Sequence, residues 1–278
     1  MTSVSPNPPH VPSTQAGQMP RAGDHPGATP EQVWQSWPGW ADVPKAELPG
    51  PGARVVVLAA HPDDEVLGVG GLLVRLAARG CDLLLVSATD GEASHPESPT
   101  VTSAELAERR LRELDAALTE LGHAGSERVH LHLPDSALSA HEGELADRLE
   151  SLLAGAVLLL APWRGDGHPD HAACGRAAAA ATEELARVRA AVGVASPVPA
   201  LWEFPVWAWH WATPDAGDIP WDRARTVHLD PHERLAKQQA IDCFGSQLHP
   251  LGDDPSDAAV LPPDVLAHFE RDVEVVLT

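Results

Sequence analysis

The apolar run Arg54-Val55-Val56-Val57-Leu58-Ala59-Ala60 ends in His61-Pro62-Asp63-Asp64-Glu65, which puts an imidazole and three carboxylates at its tip. A short unbroken apolar run rich in β-branched residues fits a strand buried on both faces, such as the middle of a parallel sheet requires. Open α/β sheets place their functional clefts beyond the carboxyl ends of such strands. A second run, Val157-Leu158-Leu159-Leu160-Ala161, leads through Pro162-Trp163-Arg164-Gly165 to Asp166-Gly167-His168-Pro169-Asp170-His171. A fold that buries both runs side by side has to bring the two polar clusters together.

The rest of the pattern is consistent with that constraint. Strands are predicted near 54–60, 82–88, 128–132 and 156–161, separated by helices near 66–79, 103–121, 141–154 and 169–191. This βα alternation implies an α/β fold, a Rossmann-like three-layer sandwich with right-handed crossovers and a mostly parallel sheet. The segments starting at His61, Thr89, Leu133 and Pro162 then leave the same carboxyl edge, where the active site is expected. Residues 1–50 are Pro, Gly and Ser rich and read as a largely disordered N-terminal segment, with the folded domain at 51–278. Trp34, Trp37 and Trp40 stand apart, because three-residue spacing gathers them on one side of a short helix. Further on, the alternation of Trp207, Trp209 and Trp211 predicts a strand with one aromatic face. Asp230-Pro231 opens a helix expected to reach about Phe244.

Imidazole with carboxylate suits zinc or another divalent ion, and a catalytic zinc takes three protein ligands with one position open. His61, Asp64 and His171 supply that number. Asp63 is then left over as a candidate general base, and His168 as a candidate acid or oxyanion stabiliser. The proline after His61 and after His168 drives each histidine out of helical conformation, toward a loop at a strand end. Glu65 suits the first turn of the helix that follows.

Ala60-His61-Pro62-Asp63-Asp64-Glu65 with Gly68, and later His168-Pro169-Asp170-His171, resemble the zinc-dependent N-deacetylases of the PIG-L/LmbE-like family. The likeness runs from about Arg54 to about Gln247. It passes through Ser87-Ala88-Thr89-Asp90-Gly91-Glu92, Arg110-Leu111-Arg112-Glu113-Leu114 with Leu121-Gly122, Leu133-Pro134-Asp135-Ser136, and Lys237 to Ser246-Gln247. The resemblance implies Zn2+, or another divalent metal, on His61, Asp64 and His171, with Asp63 as the base toward water. It implies that His168 assists the leaving amine or oxyanion, that Asp170 orients the His168 ring, and that Arg110 and Asp135 hold sugar hydroxyls. The implied reaction removes an N-acetyl group from an N-acetylglucosamine-type sugar in a small glycoside. A different metal hydrolase such as a phosphoesterase, and a non-catalytic sugar-binding module, are the competing readings. Some relatives carry a tyrosine two residues before the first histidine of the second cluster. This chain has Asp166 there and no tyrosine anywhere. Asp166 reads as an outer group orienting the site, a substrate contact, or an ordinary turn residue ahead of a helix.

With 40 acidic and 19 basic residues the formal net charge is -21, which argues against nucleic acid and against anionic membrane surfaces as partners. The expected partner is a small N-acetylated sugar or glycoside. For the three-tryptophan face it is the chain's own surface or a second subunit of a homo-oligomer. Cys81, Cys174 and Cys243 are widely spaced and form no metal motif, and neither a secretory leader nor a membrane-length apolar run is evident. A cytoplasmic enzyme is expected.

Overall fold

The computed structural model describes residues 28–193 and 197–278. Of the segment 1–50 expected to be largely disordered, residues 1–27 lie outside the described residues, whereas residues 28–50 are described and include a helix. A short helix, α1 (Glu31–Gln35), is followed by alternating strands and helices: β1 (Arg54–Ala59), α2 (Asp64–Ala78), β2 (Asp82–Ser87), α3 (Ser103–Glu120), β3 (Glu127–His130), α4 (Glu142–Leu152), β4 (Ala156–Pro162), α5 (Pro169–Val192) and β5 (Ala200–Phe204). The last part holds α6 (Ala208–Trp211), β6 (Ala224–His228), α7 (Pro231–Ile241), α8 (Gly245–Leu248), α9 (Pro263–Leu266) and β7 (Val273–Leu277).

The strands form one sheet in the order β3-β2-β1-β4-β5-β7-β6. Neighbours from β3 to β5 pair in parallel, whereas β7 runs antiparallel to both β5 and β6. The sheet is therefore mixed: the predicted parallel pairing holds between neighbours from β3 to β5, and β7 breaks it. The path after α7 is the reason. Val273, the first residue of β7, pairs with His228, the last of β6, so the chain re-enters the sheet from the carboxyl edge and runs back down. Segment 249–262 carries it there, fastened to the loop after β2 by the Asp257 carboxylate, which accepts from the Ser98 and Thr100 hydroxyls.

Successive residues of β1 feed two separate apolar clusters. Val55 and Val57 pack with residues of α2, α3 and α7, while Val56 and Leu58 pack with residues of α4 and α5. Burial on both faces explains why the strand reads as an unbroken apolar run. Within α2 the backbone leaves helical geometry at Val69 (φ −140°, ψ 20°). The Glu274 carboxylate on β7 accepts from the N–H groups of Gly71 and Leu72, each at 2.8 Å, and also from Lys237 Nζ at 2.8 Å. A β-carbon at Gly68 would lie 2.3 Å from the Phe204 ring, so α2 closes on β5 only because residue 68 is glycine.

The aromatic strand expected through Trp211 is not formed: β5 stops at Phe204 and Ala208–Trp211 is a helical turn. Pro205 cannot donate to a ladder. The next three N–H groups, of Val206, Trp207 and Ala208, donate instead to the Asp166 carboxylate at 2.8, 2.9 and 2.9 Å. Nor do Trp34, Trp37 and Trp40 share a helix, since Trp37 is held extended ahead of Pro38. They dock on the chain's own surface. Trp34 is fully buried, meets Trp209 edge to face at 5.1 Å and donates its Nε1–H to the Trp209 carbonyl at 2.8 Å. Asp230 and Glu233 form the capping box that starts α7, which ends at Ile241, short of the expected Phe244.

Candidate metal centre

β1 and β4 are adjacent and parallel, so the turns that follow them leave the sheet side by side. The first turn carries His61 and Asp63 and enters α2 at Asp64; the second enters α5 with His168 as N-cap, Pro169 at its first position, and Asp170 and His171 in its first turn. Asp135 comes from the loop after β3, and Arg110 from α3. All eight residues expected from the sequence sit at this edge. His61, Asp63, Asp64, Arg110, Asp170 and His171 are each under 9 % exposed.

Single nitrogen and oxygen atoms of His61, Asp64 and His171 lie within 4.8 Å of one another, and so do those of a second group, His61, His168 and Asp170. The hydrogen bonds separate the two. Asp170 is committed: its Oδ2 accepts from the Ser136 N–H at 2.7 Å and its Oδ1 from the Leu138 N–H at 3.1 Å. His168 Nδ1 accepts from the Asp170 main-chain N–H at 3.1 Å. In contrast, His171 Nε2 is buried, 3.1 Å from Asp64 Oδ1, and makes no hydrogen bond. Its Nδ1 meets Asp166 Oδ2 at 2.7 Å. A carboxylate only accepts, so Nδ1 carries a proton, and Nε2, which faces the Asp64 carboxylate, needs a positive partner of its own. That partner is a second proton, giving the imidazolium that the raised pKa of His171 describes, or a metal ion that takes the proton's place. A divalent ion on His61, Asp64 and His171 meets that demand, and the donor set suits zinc.

Protonation follows the same field. Burial opposes it, but Asp64 and then Asp166 push the His171 imidazole up to about 9. Burial likewise acts against the Asp64 carboxylate, yet His171 and His61 hold it well below the ordinary range. His61 Nε2 lies 3.2 Å from Asp135 Oδ1 and 3.3 Å from Asp170 Oδ2, and despite burial these carboxylates raise it well above its usual value. For His168, burial and the neighbouring His171 and His61 all lower the pKa well below 6.5. Burial raises Asp63 to about 6, against the pull of Arg110, whose Nη2 is 2.8 Å from Asp63 Oδ2. Glu65, expected as a helix-terminal carboxylate, does sit in the first turn of α2, but burial and the adjacent Asp64 push it up to about 8, which leaves it mostly protonated at neutral pH.

Two contacts differ in kind from the expectation. Asp170 meets the His168 ring through its main-chain N–H, while its carboxylate is shared between the loop after β3 and His61 Nε2. Arg110 is almost fully buried and spends both Nη atoms on Asp63, the Gly91 carbonyl and the Pro62 carbonyl. Sequence reasoning missed the loop that seats Asp135. Its N–H donates to Glu92, its Oδ2 accepts from the Ala93 N–H, and Ser136 beside it takes a left-handed φ of 65° that turns its own N–H to Asp170. Main-chain donors leave no residue signature, so Ser87–Glu92 and Leu133–Ser136 flagged the neighbourhood without showing how the two segments join.

Residues 56–182 match the family described as PIG-L, GlcNAc-PI de-N-acetylase. Among curated proteins, a 1D-myo-inositol 2-acetamido-2-deoxy-alpha-D-glucopyranoside deacetylase of Corynebacterium glutamicum is 36% identical over 143 residues, covering 43% of this chain and 49% of that protein. One of the same description from Rhodococcus erythropolis is 28% identical over 241 residues, 70% of this chain and 81% of that protein. The chain spans about half the length of the Corynebacterium relatives it matches. Among solved structures, a zinc-inhibited form of a teicoplanin deacetylase superposes with a TM-score of 0.54 at 22% identity over 70% of this chain and 85% of that one, which is a likeness of fold.

Proposed function

We propose that this chain, which carries a PIG-L family domain, is a metal-dependent N-deacetylase that removes the acetyl group from an N-acetylglucosamine-type sugar in a small glycoside. The observation that carries the reading is the buried, unbonded Nε2 of His171 facing Asp64, with Asp63 and His168 beside it. The frame assigned to this chemistry is a Rossmann-like three-layer sandwich, with α2, α3 and α7 over one sheet face and α4 and α5 over the other.

His61, Asp64 and His171 would hold a zinc or similar divalent ion, which when bound supplies a Lewis acid for water and for the amide carbonyl. Asp63 takes the proton of the attacking water. Raised to about 6 by burial, its carboxylate is a stronger base than a solvated aspartate yet still ionised at neutral pH. Arg110 holds that carboxylate in place through its 2.8 Å contact, and its substrate role is confined to what remains exposed of it. His168, neutral and with Nδ1 occupied by a main-chain N–H, keeps its proton on Nε2 and offers it as a hydrogen bond to the developing oxyanion or the departing nitrogen, while the proton that nitrogen needs returns from Asp63. Asp135, at the rim beside His61, is the assigned acceptor for a sugar hydroxyl. Three unpaired cysteines fit a reducing, cytoplasmic setting, and among the described residues no helix is long and apolar enough to cross a membrane.

The deciding experiment is release of acetate and free amine from N-acetylated glycosides by zinc-loaded protein, compared with Asp63→Asn. Turnover should fall by about 10²–10⁴ with metal content unchanged. Retained turnover removes Asp63 from the role, and two metals per chain would favour a phosphoesterase.

A further inference from the structure

We infer that Asp166 is a positioning residue of the metal centre. Its carboxylate fixes a His171 proton on Nδ1, aims Nε2 at Asp64 as the nitrogen left to ligate, and ties that imidazole to the turn at 206–208. The inference rests on the functional reading above only in taking His171 as a metal ligand.

Asp166 is fully buried between the end of β4 and the start of α5. Its Oδ1 accepts from the Val206 and Ala208 N–H groups, and its Oδ2 from the Trp207 N–H and from His171 Nδ1. Four donors fill the roughly four lone-pair sites that a carboxylate presents. A substrate hydroxyl therefore has no place on it. Nor is Asp166 a helix cap, since His168 occupies that position for α5.

What remains is orientation. Only an acceptor at Oδ2 keeps His171 in the tautomer whose Nε2 can ligate. The three amides hold that acceptor still, and none of them is free to move independently of the α6 turn. The main chain of Asp166 is fixed as well, because Trp211 donates its indole N–H to the Asp166 carbonyl at 2.8 Å. Gly167 follows at φ 90°, where a β-carbon would meet Trp211 Nε1 at 2.7 Å. A carboxylate behind a ligating histidine commonly governs metal affinity by about 10–100-fold.

Asp166→Asn tests this. An asparagine whose oxygen serves Val206 and Ala208 turns its NH₂ toward both Trp207 N–H and His171 Nδ1, which forces the proton of His171 to Nε2. Zinc titration should then show affinity weakened by about 10–100-fold in a protein of native circular dichroism. Nitrogen-15 shifts of zinc-loaded wild-type protein should show His171 protonated at Nδ1. Unchanged zinc affinity in folded Asp166→Asn overturns the inference. If that variant does not fold, a wild-type His171 protonated at Nε2 overturns it instead. Wild-type protein that binds zinc through His171 but releases no acetate refutes the function and leaves the role of Asp166 standing.

Discussion

What each histidine at the carboxyl edge can do is set by which of its nitrogens faces a fixed donor or acceptor. His168 accepts at Nδ1 from a main-chain N–H, so its Nε2–H is available to substrate and the ring needs no metal to stay in place. His168→Ala is expected to lower kcat by about 10²–10³ while zinc stoichiometry holds, measured by acetate release and metal analysis on the same sample. Wild-type kcat would exclude it from the reaction. His123, far from this edge, is a neutral histidine of another kind: Nε2 donates to the Leu73 carbonyl at 2.8 Å and Nδ1 meets the Ser126 hydroxyl at 3.0 Å. Burial lowers its pKa. The unfolded chain therefore takes up a proton near pH 6.5 that the folded chain refuses, and stability falls as pH drops below that value. His123→Gln keeps the donor to Leu73 and removes the titration. Its unfolding free energy should approach that of the wild type as pH falls from 7.5 to 5, and a constant gap would count against this account. The meeting of His61, Asp64 and His171 at one edge was legible because side chains of distinctive type mark both strand ends. The seating of Asp135 was not, because main-chain N–H groups do it.

Helix α2 shows how an element can be legible while its irregularity is not. The apolar periodicity after Asp64 announces a helix, and Gly68, Gly70 and Gly71 weaken it locally, yet what satisfies the break at Val69, Glu274 on the last strand, is distant in sequence. Lys237 on α7 completes that buried group. Glu274→Ala leaves an ammonium and two N–H groups without their carboxylate, and a loss of about 3–5 kcal/mol is expected from urea unfolding. A loss under about 1 kcal/mol, the range of surface pairs, would mean that Lys237 is solvated. The Trp-rich segment failed for the same reason at greater range. Its alternation is genuine in sequence, but Asp166, some forty positions earlier, captures three consecutive N–H groups and turns the chain.

At the scale of the whole molecule, the βα alternation and the shared strand edge were readable from β1 to α5, because each strand from β1 to β4 is followed by a full crossover helix. They ceased to be readable where segment 249–262 delivers the chain to the carboxyl edge and β7 runs antiparallel. The buried acidic centre should link metal to global stability. Zinc at 100 times its Kd is expected to add about 2.7 kcal/mol, an increase in Tm of roughly 5–10 °C that chelation reverses. A melting curve indifferent to zinc and chelator would speak against the ligand set.

The Asp257 clasp has a consequence for how such a site diversifies. Loop 93–102 and segment 249–262 meet at one fully buried carboxylate that serves Ser98 on one side and Thr100 beside it. Replacing either loop alone strands a charge or two hydroxyls. The rim is therefore a heritable unit: lineages that trade one glycoside for another would be expected to exchange both loops together or keep both.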